Sequence, residues 1–236
     1  MKHLFILLAV ILFGQSAVAG GISATETQLV QQIKQDLPKA LTELEQVVNI
    51  NSGTMNFPGV KKVGQIFKQQ FDGLGFQTQW IDGQAFNRAG HLLASYGERG
   101  PKILMIGHLD TVFAKEDDFQ HFRLLSKTHI AGPGITDMKG GNVIIVSALR
   151  ALKKQGLLDN VRIRVVMTGD EESSGRPLSL SKKVLVDAAK WADIALGFED
   201  GDSNIKTAVT TRRGAGGWTL DITGQAAHSS HIFSEE

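Results

Sequence analysis

Short apolar runs alternate with longer segments of helical periodicity along most of this chain. Residues 103–106 are apolar throughout, which is typical of a strand buried on both faces, and residues 161–167 predict a second buried strand. Between them, residues 138–154 have apolar side chains at helical spacing. The positions predicted to face inward are Val143, Ile144, Val146, Leu149 and Leu152. This alternation predicts an α/β fold, a three-layer sandwich with a mostly parallel central sheet.

The flanking segments fit the same pattern. Helices are predicted over 25–49, 60–74 and 179–191, and strands over 76–81, 92–96 and 194–198. Pro38 lies inside the first of these helices. We expect it to break or kink that helix, because proline lacks the N–H that an interior helical hydrogen bond requires.

The pattern changes after about residue 213. Trp218, Leu220 and Ile222 alternate with polar residues, which predicts a half-exposed strand. We interpret this as the start of a smaller α+β domain, of which the chain includes only the opening. The first domain would then run over 20–212 and the second over 213–236.

Composition excludes several kinds of partner and site. The chain has 25 basic and 24 acidic residues, so charge gives no reason to expect nucleic acid or an anionic membrane as a partner. It has no cysteine, which excludes disulfides, thiolate metal sites and cysteine nucleophiles. A transition-metal site would therefore use His, Asp and Glu.

The first residues have the pattern of a secretory signal. Lys2 and His3 precede an apolar run over 4–13, and Ala17-Val18-Ala19 forms a small-x-small cleavage site. The apolar run is shorter than the roughly 20 residues that span a bilayer. We expect residues 1–19 to be a signal peptide and the mature protein to be secreted, into the periplasm if the host is Gram-negative, with no membrane association after cleavage.

Polar segments follow the predicted strands, at the positions where open α/β sheets bind ligands. His108 and Asp110 come directly after the strand over 103–106. A neutral imidazole is a good zinc ligand, and a carboxylate two residues on could hold its other ring nitrogen. A surface histidine after a strand is an equal alternative, because this two-residue motif is weak by itself.

Glycines crowd the segment 132–141 around Asp137. Such density indicates a backbone that turns sharply or approaches a ligand closely. Asp137 also stands just before the predicted helix over 138–154. A helix N-cap is therefore the alternative, and for a lone residue the better one.

Acidic side chains follow two further strands. Asp170, Glu171 and Glu172 come after the strand over 161–167, and Glu199 comes after the strand over 194–198. Neighbours on an extended loop point in different directions, so one carboxylate could bind a metal while the next acts as general base. Solvated acidic turns are the alternative. Together, the four segments supply one imidazole and several carboxylates, which suit paired zinc, cobalt or manganese ions.

The order and spacing of these motifs resemble a known family. The histidine-aspartate segment at His108, the GPGITDMKGG segment at 132–141 and the DEE segment at 170–172 are similar to the zinc aminoacylase and glutamate carboxypeptidase family, which includes acetylornithine deacetylase and succinyl-diaminopimelate desuccinylase. The resemblance runs from about Leu41 to the end. Together with the signal, the segments GHLDTVF and ITGQAAH are most similar to its periplasmic glutamate carboxypeptidase branch.

The resemblance implies a role for each residue. The implied ligands of two zinc ions, replaceable by cobalt or manganese, are His108 and Glu199 for one ion, Glu172 for the other, and Asp137 as a bridge. Asp110 would orient the imidazole of His108, and Glu171 would be the general base. The family also has a cis peptide bond after the bridging aspartate, which here would join Asp137 and Met138.

His228 matches a histidine of the family's smaller lid domain. In dimeric members that histidine reaches the neighbouring subunit's site and helps to hold the oxyanion, so the resemblance implies a homodimer. An exposed histidine beyond a strand is the alternative. Arg212 and Arg213 fit a solvated hinge pair better than a substrate-carboxylate site.

The chain departs from the family at its end. The family's fifth metal ligand is a histidine far downstream, whereas this chain ends at Glu236. His231 falls where the family begins a lid helix and is not expected to substitute. The resemblance therefore implies an N-terminal fragment that is inactive alone.

The function that the resemblance implies is hydrolysis of an amide bond next to a carboxylate, in a small peptide or an N-acyl amino acid. The leading hypothesis is a two-zinc carboxypeptidase that releases a C-terminal, possibly acidic, amino acid. A close alternative is an N-acyl amino acid deacylase, because the metal site would serve both. An alternative of another class is a non-catalytic relative that uses the fold for binding or dimerisation.

Overall fold

A computed structural model describes residues 21–201, together with 204, 207–211, 214 and 216–224. The chain divides between Asp200 and Gly201 into two compact units. The predicted signal peptide, Arg212, Arg213, His228 and His231 lie outside the described residues. None of the helices in the described ranges combines the length and the hydropathy needed to cross a bilayer.

The first unit alternates strands and helices, as predicted. Its helices are α1 (Ala24–Val48), α2 (Phe57–Gly73), α3 (Gly140–Lys154), α4 (Leu178–Ser181) and α5 (Lys183–Trp191). Its strands are β1 (Gln77–Asp82), β2 (Gly90–Tyr96), β3 (Lys102–His108), β4 (Arg123–Leu124), β5 (Ile130–Ala131), β6 (Arg162–Thr168) and β7 (Ile194–Gly197). The 2-residue strands β4 and β5 form a small antiparallel hairpin of their own.

The central sheet has five strands in the order β1-β2-β6-β3-β7. Strand β6 pairs in parallel with β3, and β3 pairs in parallel with β7. Strand β2 is antiparallel to both of its neighbours, β1 and β6. Only β2 therefore runs against the common direction of this sheet, which confirms the predicted α/β fold with a mostly parallel sheet.

Helices cover both faces of the sheet. Met105, Val165 and Met167 belong to the larger core cluster, which also contains the buried side chains of α1, α2 and α3. Leu104 and Val166 belong to a second cluster with Ala188 of α5. Because successive strand residues point to opposite faces, the two clusters lie on opposite sides of the sheet, which is the predicted three-layer arrangement.

Helix α1 continues through Pro38, so of the predicted break or kink the break is wrong. Proline removes one helical hydrogen bond, but both ends of this helix are stabilised independently. At the start, Ser23 and Glu26 form a reciprocal capping box. At the other end, Leu44, Val47 and Val48 are buried in the core.

Two other helical predictions need correction. Ile144 was expected to face inward, but its side chain is 58% exposed, whereas Ile145 is fully buried. Successive helical residues are about 100° apart, so the two cannot share the centre of one face. The helix predicted over 179–191 is divided into α4 and α5 at Lys182.

The strand predicted around Trp218, Leu220 and Ile222 is not formed. Residues 216–224 have neither helix nor strand, and these three side chains are exposed. A strand exists only through hydrogen bonds to a neighbour, and no described residue pairs with this segment. Whether this segment opens a second domain at residue 213 stays a prediction.

Candidate metal centre

Three strand ends bring the predicted site residues to one edge of the sheet. The register of β3 and β6 pairs His108 with Thr168, so the last residues of both strands lie side by side. The acidic loop, residues 169–175, begins directly after Thr168. On the other side of β3, the backbone N–H of Phe198 donates to the carbonyl oxygen of Ile106 at 3.4 Å, which brings Glu199 to the same edge.

Asp137 reaches this edge from a tight turn before α3. Gly134 starts the turn with a φ of 73°, the left-handed region that favours glycine. The peptide bond between Asp137 and Met138 is cis, as the family resemblance implied. Met138 is buried, and its Sδ accepts the backbone N–H of His108 at 3.1 Å.

The helix-cap alternative for Asp137 is wrong. Lys139 occupies the N-cap position of α3, and the φ and ψ of Asp137 are −123° and 92°. Its carboxylate Oδ1 lies instead 2.8 Å from Nε2 of His108. Gly141, in the first turn of α3, lets the backbone before Glu199 come close to this helix, because a side chain at position 141 would overlap the carbonyl oxygen of Phe198.

The imidazole of His108 has one tautomer that satisfies its neighbours. Nδ1 lies 2.9 Å from the backbone carbonyl oxygen of Asp110, which can only accept, so Nδ1 carries the hydrogen. The lone pair on Nε2 then faces Oδ1 of Asp137 at 2.8 Å and Oε2 of Glu199 at 3.6 Å. In that neutral form three electron-rich atoms point at one another, so the site requires a positive charge, either a proton on Nε2 or a metal ion.

The pKa of His108 also indicates that a positive charge is stabilised at this position. Burial disfavours its imidazolium form, but the nearby carboxylates of Asp110 and Glu199 outweigh burial and raise the pKa of His108 to about 11. A proton thus supplies the positive charge in the metal-free chain. His108, Asp137 and Glu199 offer one atom each within 4.8 Å of one another, so these residues fit a divalent metal ion.

Glu171 and Glu172 complete a second group that could hold a metal ion, and this group also includes His108. Partial burial raises the pKa of Glu171, and the charge of Glu199 acts in the same direction against the opposing effect of His108. Partial burial and the charge of Asp137 raise the pKa of Glu172 to about 7. Crowded carboxylates of this kind are stabilised by a bound cation.

Asp110 contacts the acidic loop more closely than it contacts the imidazole. Its carboxylate is fully buried, and Oδ1 lies 3.5 Å from Nδ1 of His108. Oδ1 accepts the backbone N–H of Glu171 at 3.1 Å, and Oδ2 accepts that of Glu172 at 3.1 Å. The predicted orientation of His108 is therefore provided first by the backbone carbonyl of Asp110, while the carboxylate fixes the two acids.

Thr54 completes the partners of Asp110, and sequence reasoning missed it. Its hydroxyl donates to Oδ2 of Asp110 at 2.7 Å, and its own N–H donates to the carbonyl oxygen of Thr111 at 3.1 Å. Thr54 comes from the loop between α1 and α2, 56 residues away from Asp110 along the chain. No local pattern marks a pairing at that separation.

Two cavities flank Val112 beside the centre, and Glu172 lines both. Each has a volume of about 430 Å³. One has several polar side chains in its lining, among them Thr54, Asn56, Lys115, Glu116 and Ser173. The other reaches Asp137 and has apolar walls from Phe113, Phe119, Ile130 and Ile135. Both volumes are within the range of small-molecule sites.

Residues 104–216 match the family model of peptidase family M20/M25/M40. This chain is a relative of the M20/M25/M40 peptidases. The match covers the strand that ends in His108, the turn at Asp137, the acidic loop and Glu199, and it confirms the family that the motifs resemble.

Curated proteins of this kind align over much of the chain. Carboxypeptidase G2 of Pseudomonas sp. (strain RS-16) is 29% identical over 202 residues, which are 85% of this chain and 48% of that protein. A probable succinyl-diaminopimelate desuccinylase of Staphylococcus epidermidis is 31% identical over 144 residues, 59% of this chain and 34% of that protein. The chain thus spans about half, or less, of the length of these M20 relatives.

A solved structure confirms the fold. Human carnosine dipeptidase 1 superposes with a TM-score of 0.59 at 18% identity, over 72% of this chain and 40% of that one. At this identity the likeness concerns the arrangement of helices and strands.

Proposed function

We propose that this protein is a two-zinc hydrolase that cleaves an amide bond next to a carboxylate, with release of a C-terminal, possibly acidic, amino acid. The observation that carries the proposal is the convergence of His108 with two sets of carboxylates, from Asp137 and Glu199 and from Glu171 and Glu172. Their backbone positions come from three strand ends and one turn. Such a set is unusual for a purely structural ion pair and suits paired divalent metals.

The residues divide between two metal positions. His108 and Glu199 would hold one zinc, Glu172 would contribute to the other, and Asp137, which faces His108 and shares a cavity wall with Glu172, would lie between them. Nitrogen and oxygen donors of this kind also accept cobalt or manganese. Bound metal would supply Lewis acidity and lower the pKa of a water molecule.

Glu171 is the general base in this proposal. Its carboxylate belongs to the group around His108, yet the resemblance leaves it free of a ligand role, so it can take a proton from the attacking water. Partial burial raises its pKa, which favours the later return of that proton to the leaving amine. Asp110 accepts the backbone N–H of Glu171, and this hydrogen bond fixes the backbone position of the general base.

An N-acyl amino acid deacylase is the close alternative, and the names of the two relatives, a carboxypeptidase and a desuccinylase, support both kinds of amide cleavage. A non-catalytic binding relative is the alternative of another class. The placement of Glu171 beside the other acids favours an enzyme, because a binding module has no need of a base there.

In the proposed enzyme, His228 from a second subunit would help to stabilise the oxyanion, so the proposal includes a homodimer.

The test combines metal content with turnover. We expect the purified full-length protein to bind two zinc ions, and a panel of N-acyl glutamates against N-acetyl amino acids separates the carboxypeptidase from the deacylase. Glu171→Gln should retain zinc but lower kcat by roughly 10²- to 10⁴-fold. Glu98→Gln, an exposed acid between β2 and β3, is the matched control and should change neither. Absence of zinc binding by the wild-type protein would remove the proposal.

A further inference from the structure

The acidic loop after β6 is held by hydrogen bonds to several of its backbone N–H and C=O groups. The N–H of Gly169 donates to Nδ1 of His91 at 3.1 Å. The N–H groups of Glu171 and Glu172 both donate to Asp110. Farther along, Arg88 donates through Nε to the carbonyl oxygen of Ser173 at 2.7 Å and through Nη2 to that of Ser174 at 3.3 Å. Loops are ordinarily the mobile part of a domain, but these hydrogen bonds restrict the backbone of the acidic loop.

Asp170 is the buried anchor of this loop. Its side chain is fully buried, and its Oδ2 accepts the N–H of Gly175 at 2.8 Å and the hydroxyl of Ser181 at 2.5 Å. The first of these bonds closes the loop on itself across five residues. Asp170 therefore points away from the predicted metal centre, while Glu171 and Glu172 next to it point toward it.

Lys182 holds Asp170 by both its side chain and its main chain. Nζ of Lys182 donates to Oδ1 of Asp170 at 3.0 Å and to the backbone carbonyl oxygen of the same residue at 3.1 Å. A donor that contacts both groups restricts rotation about the bonds between them. The orientation of the next peptide, which carries Glu171, follows from this contact.

The positions of Lys182 and Ser181 are set by the junction between α4 and α5 and by a hydrogen bond to strand β2. Lys182 lies at the break between α4 and α5, so its backbone leaves the helical path at this point. The carbonyl oxygen of Ser181 accepts Nε2–H of His91 at 2.9 Å, which ties the end of α4 to strand β2. The cluster of His91, Asp170, Ser181 and Lys182 thus joins three separate elements beneath the acidic loop.

We propose that Lys182, acting through Asp170, is a positioning residue that sets the direction of Glu171 and Glu172 at the metal centre. The inference rests on the proposed function, because it concerns how those two acids meet the metal. Lys182 contributes no ligand atom itself. Partners of this kind that orient metal ligands typically change metal affinity by about 10- to 100-fold when they are removed.

The test is the zinc affinity of the full-length chain, measured by competition with a chromophoric chelator. Lys182→Met keeps most of the length of the side chain but removes the donor, and the side chain of Lys182 is 28% exposed, so the substitution leaves no large buried void. We expect zinc affinity to fall by about tenfold or more. Lys182→Arg, which can donate both to the carboxylate and to the backbone carbonyl oxygen of Asp170, should recover most of the lost zinc affinity.

Lys183→Met is the matched control. Lys183 is adjacent in sequence but pairs with exposed Asp187 on the surface of α5. It should leave zinc affinity unchanged, which separates the contact with Asp170 from a general loss of positive charge. The visible spectrum of the cobalt-substituted protein should change with Lys182→Met and not with Lys183→Met, since a purely structural role would lower the unfolding temperature without changing the metal's surroundings.

The outcomes are distinct. Wild-type and Lys182→Met chains that bind zinc equally overturn this inference and leave the proposed function intact. A wild-type chain that binds no zinc overturns both. Equal losses in Lys182→Met and Lys183→Met also overturn it, because charge alone would explain them. If Lys182→Met fails to fold, Ser181→Ala removes one donor of the same Asp170 carboxylate and is held to the same criterion.

Discussion

The carboxylate oxygen Oδ1 of Asp110 accepts the backbone N–H of Glu171 at 3.1 Å, across 61 residues of chain. Its second oxygen accepts the N–H of Glu172. Two adjacent peptides are therefore held by one side chain, each on its own oxygen. An ionised carboxylate is purely an acceptor, so both of its oxygens suit these N–H groups, and the side chains of both glutamates are left free for chemistry.

Asp110→Asn tests this relationship with little change in shape. An amide has one oxygen and one NH₂ group, so one of the two backbone N–H groups loses its acceptor. We expect the free energy of unfolding of the metal-free chain to fall by about 1–3 kcal/mol, the cost of an unsatisfied buried donor. Denaturant unfolding measures it. Asp118→Asn, at an exposed position in the loop after β3, should change stability little, and equal effects from both would contradict the role of Asp110.

Ile144 and Ile145 form a matched pair on α3 for testing the core. Ile145→Ala removes a fully buried side chain and should cost about 2–5 kcal/mol in the free energy of unfolding. Ile144→Ala, at an exposed helical position, should stay within about 0.5 kcal/mol of the wild type. A larger loss at Ile144 than at Ile145 would reverse the helix orientation described above.

His91 predicts a loss of stability in acid. Burial lowers the pKa of this histidine below its usual value of 6.5, although the charge of Asp170 opposes the shift. The unfolded chain then binds a proton more readily than the folded one, so the contribution of His91 declines as pH falls below its unfolded pKa. Neutral His91 accepts from Gly169 through Nδ1, and protonation would place a hydrogen there.

Unfolding titrations at about pH 7.5 and about pH 5.5 test the His91 prediction. The stability difference between wild type and His91→Gln should be smaller at the lower pH. His121→Gln, at an exposed position, is the control and should give the same difference from wild type at both values. A His91→Gln difference that grows in acid would show that the histidine is charged in the folded state.

We also propose that residues 1–19 direct secretion and are removed. The mature chain should begin at Gly20, which N-terminal sequencing of the exported protein reports. Ala19→Arg should block processing, because signal cleavage requires a small residue at that position. Lys39→Arg, within α1, should not affect it. An exported protein that keeps Met1 would remove the proposal.

Periodicity was enough to predict most elements of the fold. Residues 103–106 lie inside β3, the strand predicted over 161–167 matches β6 to within one residue at each end, and the alternation of helices and strands indicated the layers correctly. The reversed direction of β2 was not predictable, because a period-2 pattern is the same for a strand running either way. The orientation of α3 at Ile144 was missed since both isoleucines are apolar, and hydropathy cannot rank two adjacent isoleucines.

The candidate site was predictable where its residues form short motifs. His108, Asp137, Glu171, Glu172 and Glu199 meet at one edge, as the strand-end rule and the family resemblance indicated. Their supporting partners were not predictable. Thr54, His91 and Lys182 are common residue types without a local motif, and each meets its partner only through the folded chain.

Strand β6 lies between β2 and β3, although β2 and β3 are neighbours along the chain. The two earlier strands leave a gap that only this later segment fills, and the acidic loop follows it directly. During folding, His108 and Glu171 therefore cannot meet until β6 has been inserted into the middle of the sheet. Acquisition of metal affinity would report the completion of this long-range step, and a chain that binds zinc tightly has already passed its main topological barrier.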